Sequence, residues 1–268
     1  MHATPYVRNF ILVVSNKHTQ IPSWLNATHP RIRVVEHKEI WDNPEYLPSM
    51  NSHAIEWALP NIPDLSPKFL YLNDDFAIYK KLDLPMIMPS KDHFVLWEAW
   101  GAPTSPHQVN DEYGKSLAYV TQWYNKKYGT LKNRKVASHV PLLLDVAVMK
   151  TIKGDFPEKF ETMYRMGQLR TNTDVQTQFA FQQYIRHHRP HLRAPENHVH
   201  FLGLNLDKQD QHSLDKKVLD RIRTDPRQFI CIQDGFPRDQ IITEKVIDQI
   251  HNFYEELFPT RCPWEIIA

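Results

Sequence analysis

Short apolar runs that alternate with helical patterns constrain the fold of this chain more than any other feature. Each run holds four to six apolar residues, often β-branched or aromatic, and ends in polar residues, which predicts short buried strands. The runs lie at 10–16, 32–37, 68–74, 93–100 and 228–234. The helical patterns lie at 52–59, 141–156, 174–188 and 243–258. Such alternation favours an α/β fold in which helices cover both faces of a sheet.

Local signals set the expected limits of the helices. Pro141 suits the first position of one helix, and Gly154 closes that helix. Asp174 is the expected N-cap of the helix that follows. The polar and aromatic stretch 101–135 is interpreted as an insertion or lid-like segment, and 189–211 as a long irregular connection.

Composition excludes several classes of protein. The chain is long enough to bury a sizeable core and to form one large domain or two small ones. A net charge of +1 gives no electrostatic basis for binding nucleic acid or a membrane surface. No apolar run approaches the roughly 20 residues that span a bilayer. Cys231 and Cys262 are too few for a disulfide framework or a four-cysteine zinc site. The GxSxG, GxGxxG and GxxxxGK[ST] motifs do not occur.

The stretch "KFLYLNDDF" places Asn73, Asp74 and Asp75 directly after an expected strand. In an open α/β sheet, ligands collect at the carboxyl ends of strands. Adjacent carboxylates repel each other unless a cation lies nearby, and oxygen ligands suit Mg²⁺ or Mn²⁺. A capped turn is the alternative, because Asn and Asp also favour turns. Asp234 repeats the arrangement after the strand "FICI", with the same two interpretations.

Two further polar residues precede expected helices. His139 could act as a general acid or base, or contact a phosphate. Arg170 carries a fixed fork of donors that suits bidentate phosphate binding. Taken alone, each residue fits an ordinary polar or solvated role better than a functional one, so these residues by themselves leave the chemistry open.

Three blocks of the chain, taken in order, resemble the Stealth family. The blocks "VRNFILVVSNKHTQIPSWLN" and "LPSMNSHAIEWALPNIPDLSPKFLYLNDDF" are similar to that family's second conserved region, assigned to 7–100. The blocks "ASHVPLLLDVAVMKTIKGDFPEKF" and "LRTNTDVQTQFAF" are similar to the third, assigned to 136–188. The blocks "FICIQDGF" and "VIDQIHNFYEELFP" are similar to the fourth, assigned to 228–259.

The resemblance implies a fold and a reaction. The expected fold is a single domain over residues 1–268, with a Rossmann-like, GT-A-like mixed sheet flanked by helices. The expected reaction moves a hexose-1-phosphate, such as GlcNAc-1-phosphate, from a nucleotide-sugar donor to a hydroxyl of a glycan or glycoprotein acceptor. The donor's pyrophosphate bond breaks, and the barrier falls through positioning and through neutralisation of charge on the phosphoryl group.

The resemblance also implies roles for particular residues. The implied catalytic residues are Asp74, Asp75, His139 and Arg170. Mg²⁺ or Mn²⁺ would be held by Asp74 or Asp75 with help from Asp234. A carboxylate of that pair, or His139, would accept the proton of the acceptor hydroxyl, while Arg170 would bind the phosphate. The residues implied to contact the substrate are Asn51, Ser52, His53 and Asn73.

The chain departs from the family pattern in two places. The family's first conserved region, a "YTWVDG"-like strand and turn, is not found, so that N-terminal strand is expected to be missing. Gln233, Asp234 and Gly235 stand where the family usually has Asn-Asp-Asn, which changes the expected metal ligands.

Two alternatives to the transferase therefore stay open. One is an inactive or truncated relative that binds glycans or nucleotide-sugars, and the other is a metal-dependent glycosyltransferase that cleaves the sugar–oxygen bond. A homo-oligomer is not excluded. The compartment would be the Golgi lumen for a eukaryotic protein and the cytoplasm for a bacterial one.

Overall fold

The computed structural model describes residues 3–206, 214–234, 236 and 242–266. These residues form eleven strands and nine α-helices. The strands are β1 (Phe10–Val14), β2 (Ile32–Glu36), β3 (Lys68–Tyr71), β4 (Phe76–Ile78), β5 (Phe94–Leu96), β6 (Glu98–Gly101), β7 (Lys135–Ala137), β8 (Leu142–Asp145), β9 (His191–Arg193), β10 (Val199–Leu204) and β11 (Phe229–Asp234). The helices are α1 (His37–Ile40), α2 (Ser52–Ala58), α3 (Leu84–Ile87), α4 (Glu112–Tyr128), α5 (Val146–Asp155), α6 (Pro157–Met166), α7 (Thr177–His188), α8 (Lys216–Thr224) and α9 (Glu244–Leu257).

The strands pair in both directions. β1 pairs with β2, and β5 with β9, in parallel, whereas β3 pairs with β8, and β6 with β7, antiparallel. A three-stranded sheet has the order β10-β11-β4, in which β11 is parallel to β10 and antiparallel to β4. The predicted mixed α/β architecture with flanking helices is confirmed, and its hydrogen bonding is divided among several small sheets. Among the described residues, no helix is long and apolar enough to cross a bilayer.

The acidic turn that follows β3 is held against β11. The chain leaves β3, passes through Asn73, Asp74 and Asp75, and enters β4 at once. Phe76 is the register partner of Cys231, and the backbone N–H of Ile232 donates to the carbonyl of Asp75 at 3.0 Å. Long-range strand pairing therefore fixes the turn beside the middle of β11.

The side chains of β11 alternate between two apolar clusters. Ile230 and Ile232 belong to a C-terminal core that β10, β11, α8 and α9 form among the described residues. Phe229 belongs to the main core, which contains Trp57 of α2 and Phe179 of α7. Because successive residues of a strand face opposite sides, Cys231 faces the same side as Phe229.

The predicted helix at 141–156 is wrong in its first turn. Leu142–Asp145 forms β8, in which alternate residues are buried, and it pairs with β3. Helix α5 begins only afterwards, with Asp145 as its N-cap: the side chain accepts from the backbone N–H of Val148 at 3.1 Å. A four-residue apolar run fits a strand as well as a helix, and pairing with β3 decides the outcome.

The predicted N-cap Asp174 is also wrong. Helix α7 begins at Thr177, and Gln176 is at the cap position without a side-chain cap bond. The buried carboxylate of Asp174 instead accepts from the backbone N–H of Thr171 and from the side-chain amide of Asn51, both at 2.9 Å. Asp174 thus stabilises the turn that leads into α7.

Three other segments are more ordered than expected. The stretch 101–135 contains α4, and its side chains Leu117 and Tyr124 are fully buried in the main core, so this helix is not a lid. The connection 189–211 contains β9 and β10 within its described part. The predicted strand 93–100 is divided into β5 and β6.

Candidate active site

A cleft of about 600 Å³ lies where α2, the acidic turn, the start of α7 and β11 meet. Seven of the side chains that the sequence predicts for the site line this cleft: Ser52, His53, Asn73, Asp74, Asp75, His139 and Arg170. They are separated by up to 118 residues in sequence, so the fold itself brings them together. A cleft in which polar and titratable groups converge is the expected form of a binding or active site.

Only one of the two carboxylate oxygens of Asp75 accepts hydrogen bonds among the described residues. Oδ2 accepts from Nε2 of Gln233 and from Sγ of Cys231, each at 3.3 Å. Oδ1 is buried and has no partner among the described residues. A buried carboxylate oxygen is costly when it lacks a donor or a cation, so this oxygen marks a place for a ligand.

The neighbouring side chains of the turn differ in exposure. Asp74 is exposed to the cleft, whereas Asn73 is half-buried and accepts from the hydroxyl of Tyr71. Together with the unpartnered oxygen of Asp75, the exposed carboxylate of Asp74 is a donor set of hard oxygens, which is the kind that Mg²⁺ or Mn²⁺ takes. The predicted third ligand, Asp234, ends β11, but its side chain lies outside the described part of the chain.

His139 lies beside the acidic turn in apolar surroundings. Its ring contacts the ring of Phe76 at 5.9 Å and that of Phe201 at 4.9 Å between centroids. Burial lowers the pKa of His139, and the negative charge of Asp75 opposes that change only in part. The imidazole is therefore neutral at pH 7 and able to accept a proton.

Helix α2 is fastened to the segment that carries Arg170. Trp57 is fully buried, and its Nε1 donates to the carbonyl of Val175 at 2.9 Å. Asn51 is the N-cap: its side-chain oxygen accepts from the N–H of His53 at 3.0 Å, while its amide donates to Asp174. These bonds hold the first turn of α2 next to Arg170 at the cleft.

Asn51 itself does not line the cleft. Its side chain is fully buried, and both of its polar groups are bonded within the protein. The sequence places Asn51 with Ser52 and His53 as a substrate contact, but in the structure it lies behind them. Its geometry is that of a residue that positions α2.

The buried end of the cleft contains two titratable side chains whose charge is suppressed. Burial lowers the pKa of His53 to about 3, and the positive charge of Arg170 adds to that effect. Burial raises the pKa of Glu56 to about 7, although hydrogen bonding with Thr177 and Tyr71 and the positive charge of Arg170 oppose the change. Titratable groups shifted in this way are common at functional sites.

Glu56 is the site residue that the sequence analysis missed. It follows Ser52 by four positions and His53 by three, which places all three on one face of α2. That spacing, together with the apolar neighbours Ile55 and Trp57, is the sequence signal that could have identified it. Burial then makes the carboxyl a candidate for proton transfer near neutral pH.

Cys231 lies behind Asp75 and His139 and is not one of the residues that line the cleft. The thiol is fully buried, its Sγ lies 3.9 Å from Nδ1 of His139, and it donates to Asp75. Burial and the charge of Asp75 raise the pKa of Cys231 well above its ordinary value. The side chain is therefore a protonated thiol at pH 7.

Comparison with protein families identifies three conserved regions. Residues 1–94 match Stealth protein CR2, conserved region 2. Residues 138–187 match conserved region 3, and residues 220–268 match conserved region 4. These regions together cover more than half of the chain, and each contributes side chains to the cleft.

Two similar proteins are polysaccharide phosphotransferases by name. The exopolysaccharide phosphotransferase SCO2594 of Streptomyces coelicolor is 28% identical over 267 residues, which is 97% of this chain and 42% of that protein. The capsular polysaccharide phosphotransferase SacB of Neisseria meningitidis serogroup A is 29% identical over 275 residues, covering 95% of this chain and 46% of SacB. The chain thus spans less than half the length of these two relatives. The matched regions, in the order that the sequence motifs indicate, show that this chain is a member of the Stealth family.

Proposed function

We propose that this chain carries the active site of a sugar-phosphate transferase, which moves a hexose-1-phosphate from a nucleotide-sugar to a hydroxyl of a glycan. One observation carries the proposal: Asp75, His139, Arg170 and Gln233, drawn from the three matched conserved regions, line a single cleft. The names of the relatives, which are polysaccharide phosphotransferases, support phosphoryl chemistry and a polysaccharide product.

Arg170 is the phosphate-binding residue in this proposal. Its side chain is exposed at the cleft, and none of the ion pairs among the described residues includes it. A guanidinium can donate two parallel hydrogen bonds to a phosphate, which fixes the orientation of the group as well as its position. Arg170 would hold the phosphoryl group of the donor while the bond to the nucleotide breaks.

Asp74 and Asp75 would hold a divalent cation. Mg²⁺ or Mn²⁺ bound there would offset negative charge on the diphosphate of the donor. Without a cation, the two carboxylates would repel the anionic nucleotide-sugar and make its binding unfavourable, because like charges repel at short range. Binding of the nucleotide-sugar is therefore expected to depend on the metal.

His139 is the proposed proton acceptor. The oxygen of the acceptor hydroxyl attacks the phosphorus atom next to the sugar, and the bond from that phosphorus to the bridging oxygen breaks. The nucleoside monophosphate leaves with that oxygen, and the hydroxyl proton passes to the neutral imidazole. Asp75, which lies near His139, stabilises the imidazolium that results. Glu56, with a pKa of about 7, is a second group able to hold a proton in the cleft.

The nucleotide product tests the reaction. The chain is incubated with Mn²⁺, UDP-N-acetylglucosamine or other nucleotide-sugars, and an acceptor glycan, and the products are separated by chromatography. Transfer of a sugar-phosphate releases UMP, whereas transfer of the sugar alone releases UDP and would establish a glycosyltransferase instead. Binding of the donor without either product would identify a non-catalytic binding module.

A further inference from the structure

We propose that Asp75, His139 and Cys231 form a zinc-binding site beside the cleft, between the acidic turn and β11, and that zinc bound there inhibits transfer. The three side chains come from the acidic turn, the segment before β8, and β11. Their potential ligand atoms all lie within 4.8 Å of one another. The inhibition rests on the proposed function, but the binding of zinc does not.

The spacing of the atoms matches a tetrahedral zinc centre. Bonds of about 2.3 Å from zinc to sulfur and about 2.0 Å to nitrogen or oxygen, at the tetrahedral angle, separate these ligand atoms by about 3.5 Å. In the structure, Sγ of Cys231 lies 3.3 Å from Oδ2 of Asp75 and 3.9 Å from Nδ1 of His139. The two distances lie on either side of the expected value, and all three atoms lie within 4.8 Å of one another, so rearrangement of these side chains alone would close the site.

The chemistry of the three donors selects zinc over magnesium. A thiolate and an imidazole are soft or intermediate ligands that zinc prefers, whereas Mg²⁺ prefers oxygen and keeps several waters. Three protein ligands leave a fourth position for water or a substrate oxygen, as in many zinc centres. The thiol must lose its proton when the metal binds, and this proton passes to solvent.

The surroundings favour a fixed geometry. Gln233 donates from Nε2 to Asp75 at 3.3 Å, which orients the carboxylate in the way that outer-shell partners of metal ligands do. The rings of Phe76 and Phe201 contact the imidazole of His139 and restrict its rotation. Oδ1 of Asp75 has no partner among the described residues, so this oxygen could contact a metal without the loss of a hydrogen bond.

Zinc in this position would prevent the proposed reaction. It would take a lone pair of His139, which then could not accept the hydroxyl proton. It would also take the carboxylate of Asp75 from the catalytic cation. The two metals compete for Asp75, but Cys231 and His139 are ligands that bind zinc more tightly than Mn²⁺. Zinc is therefore expected to inhibit at low concentration even when Mn²⁺ is in excess.

Metal binding is tested first, without reference to activity. The chain is treated with a chelator, desalted and titrated with Zn²⁺ in competition with a fluorescent zinc chelator, and separately with Co²⁺ while the absorption spectrum is recorded. We expect one zinc per chain and a thiolate-to-cobalt charge-transfer band in the near ultraviolet. Cys231→Ser should weaken zinc binding about tenfold or more and remove the band.

The other cysteine provides the matched control. Cys262 is not part of the cluster that Asp75, His139 and Cys231 form, so Cys262→Ser should retain both the affinity and the band. If Cys231→Ser bound zinc as tightly as the unmodified chain, or if Co²⁺ gave no charge-transfer band, the proposal would be overturned. A metal held only by histidines elsewhere in the chain would give no charge-transfer band with Co²⁺.

Inhibition is tested in the transfer assay. With Mn²⁺ in excess, one equivalent of zinc should reduce UMP release by the unmodified chain and by Cys262→Ser, and the reduction should be at least tenfold smaller for Cys231→Ser relative to its own rate without zinc. Zinc binding without inhibition would refute the regulatory half of the proposal. If no UMP is released even without zinc, the proposed function fails, and the cobalt spectrum still decides the metal site.

Discussion

The two sides of the cleft handle charge in opposite ways. The helical wall, formed by His53 and Glu56 of α2, is buried, whereas the acidic wall, formed by Asp74, Asp75 and His139, is at least partly exposed. Burial shifts the pKa of His53 to about 3 and that of Glu56 to about 7, so neither group carries a full charge at pH 7.

The contrast separates two tasks. Carboxylates that meet solvent can exchange a cation and bind an anionic donor, which is a task for the acidic wall. Desolvated groups with shifted pKa values can hold or release a proton near neutral pH, which is a task for the helical wall. If the proposed function is correct, mutations on the acidic wall should act on metal-dependent turnover, and those on the helical wall on pH dependence and stability.

Asp75→Asn should have the largest effect. Loss of the carboxylate removes a metal ligand and the charge that stabilises the imidazolium of His139, and UMP release should fall roughly a thousandfold. The free energy of unfolding, measured in urea, should change by less than about 1 kcal/mol. Asp92→Asn, on an exposed turn away from the cleft, is the matched control and should retain the full rate. Full turnover by Asp75→Asn would disprove the assignment of the acidic wall.

Arg170→Lys should have the next largest effect. Lysine keeps the positive charge but cannot donate in a fork, so transfer should fall about a hundredfold, mainly through weaker binding of the donor phosphate. Initial rates at varied donor concentration measure this change. Arg165→Lys, exposed in α6 and outside the cleft, should leave the kinetics unchanged. Equal kinetics for the two variants would show that Arg170 does not bind the phosphate.

Glu56→Gln should separate activity from stability. The pKa of Glu56 is about 7 in the folded protein and about 4.5 in the unfolded chain, so the folded state binds this proton more tightly. The contribution of Glu56 to the free energy of unfolding is therefore largest below pH 4.5. That contribution, up to about 3 kcal/mol, is lost as the pH rises through 7. Glutamine does not titrate, so the free energy of unfolding of Glu56→Gln, measured in urea at pH 5 and pH 8, should change less with pH than that of the unmodified chain.

Turnover by Glu56→Gln should nevertheless fall about tenfold, since a group able to hold a proton is lost. The stability profile of Asp75→Asn provides the comparison, because a variant on the acidic wall should not flatten it. If the free energy of unfolding of Glu56→Gln changed with pH as much as that of the unmodified chain, the helical wall would not be desolvated.

Glu56 also shows what sequence alone could and could not predict. The strands β3 and β11 and the helices α2 and α9 follow from local periodicity, whereas β4 was not predicted, and the Stealth motifs indicate Asp74, Asp75, His139 and Arg170 together. The burial that shifts the pKa of Glu56 depends on how α2 packs against α7, which is a long-range property. A single glutamate in a helix gives no such information.

Strand pairing explains the other differences. Whether Leu142–Asp145 is a strand or the start of a helix depends on its partner β3, which lies 77 residues earlier at the first aligned pair, Lys68 with Asp145. Cys231 was noted in the sequence only as one of two cysteines. Its place beside Asp75 follows from the antiparallel register of β4 and β11, in which Cys231 is opposite Phe76.

Asn51→Ala should have the smallest effect on turnover and tests whether Asn51 contacts substrate or only positions α2. The substitution removes an N-cap and one of the donors to the buried carboxylate of Asp174, so urea unfolding should show a loss of about 2 kcal/mol. Turnover should fall less than tenfold, because Ser52, His53 and Glu56 remain at the cleft.

Asn43→Ala is the matched control. Asn43 caps the short 3-10 helix Pro44–Tyr46 and is less buried than Asn51, so this substitution should lower the free energy of unfolding by less than about 1 kcal/mol. If Asn51→Ala were as stable as Asn43→Ala but as inactive as Asp75→Asn, Asn51 would contact the substrate after all, and the interpretation drawn from the sequence would replace the one drawn from the fold.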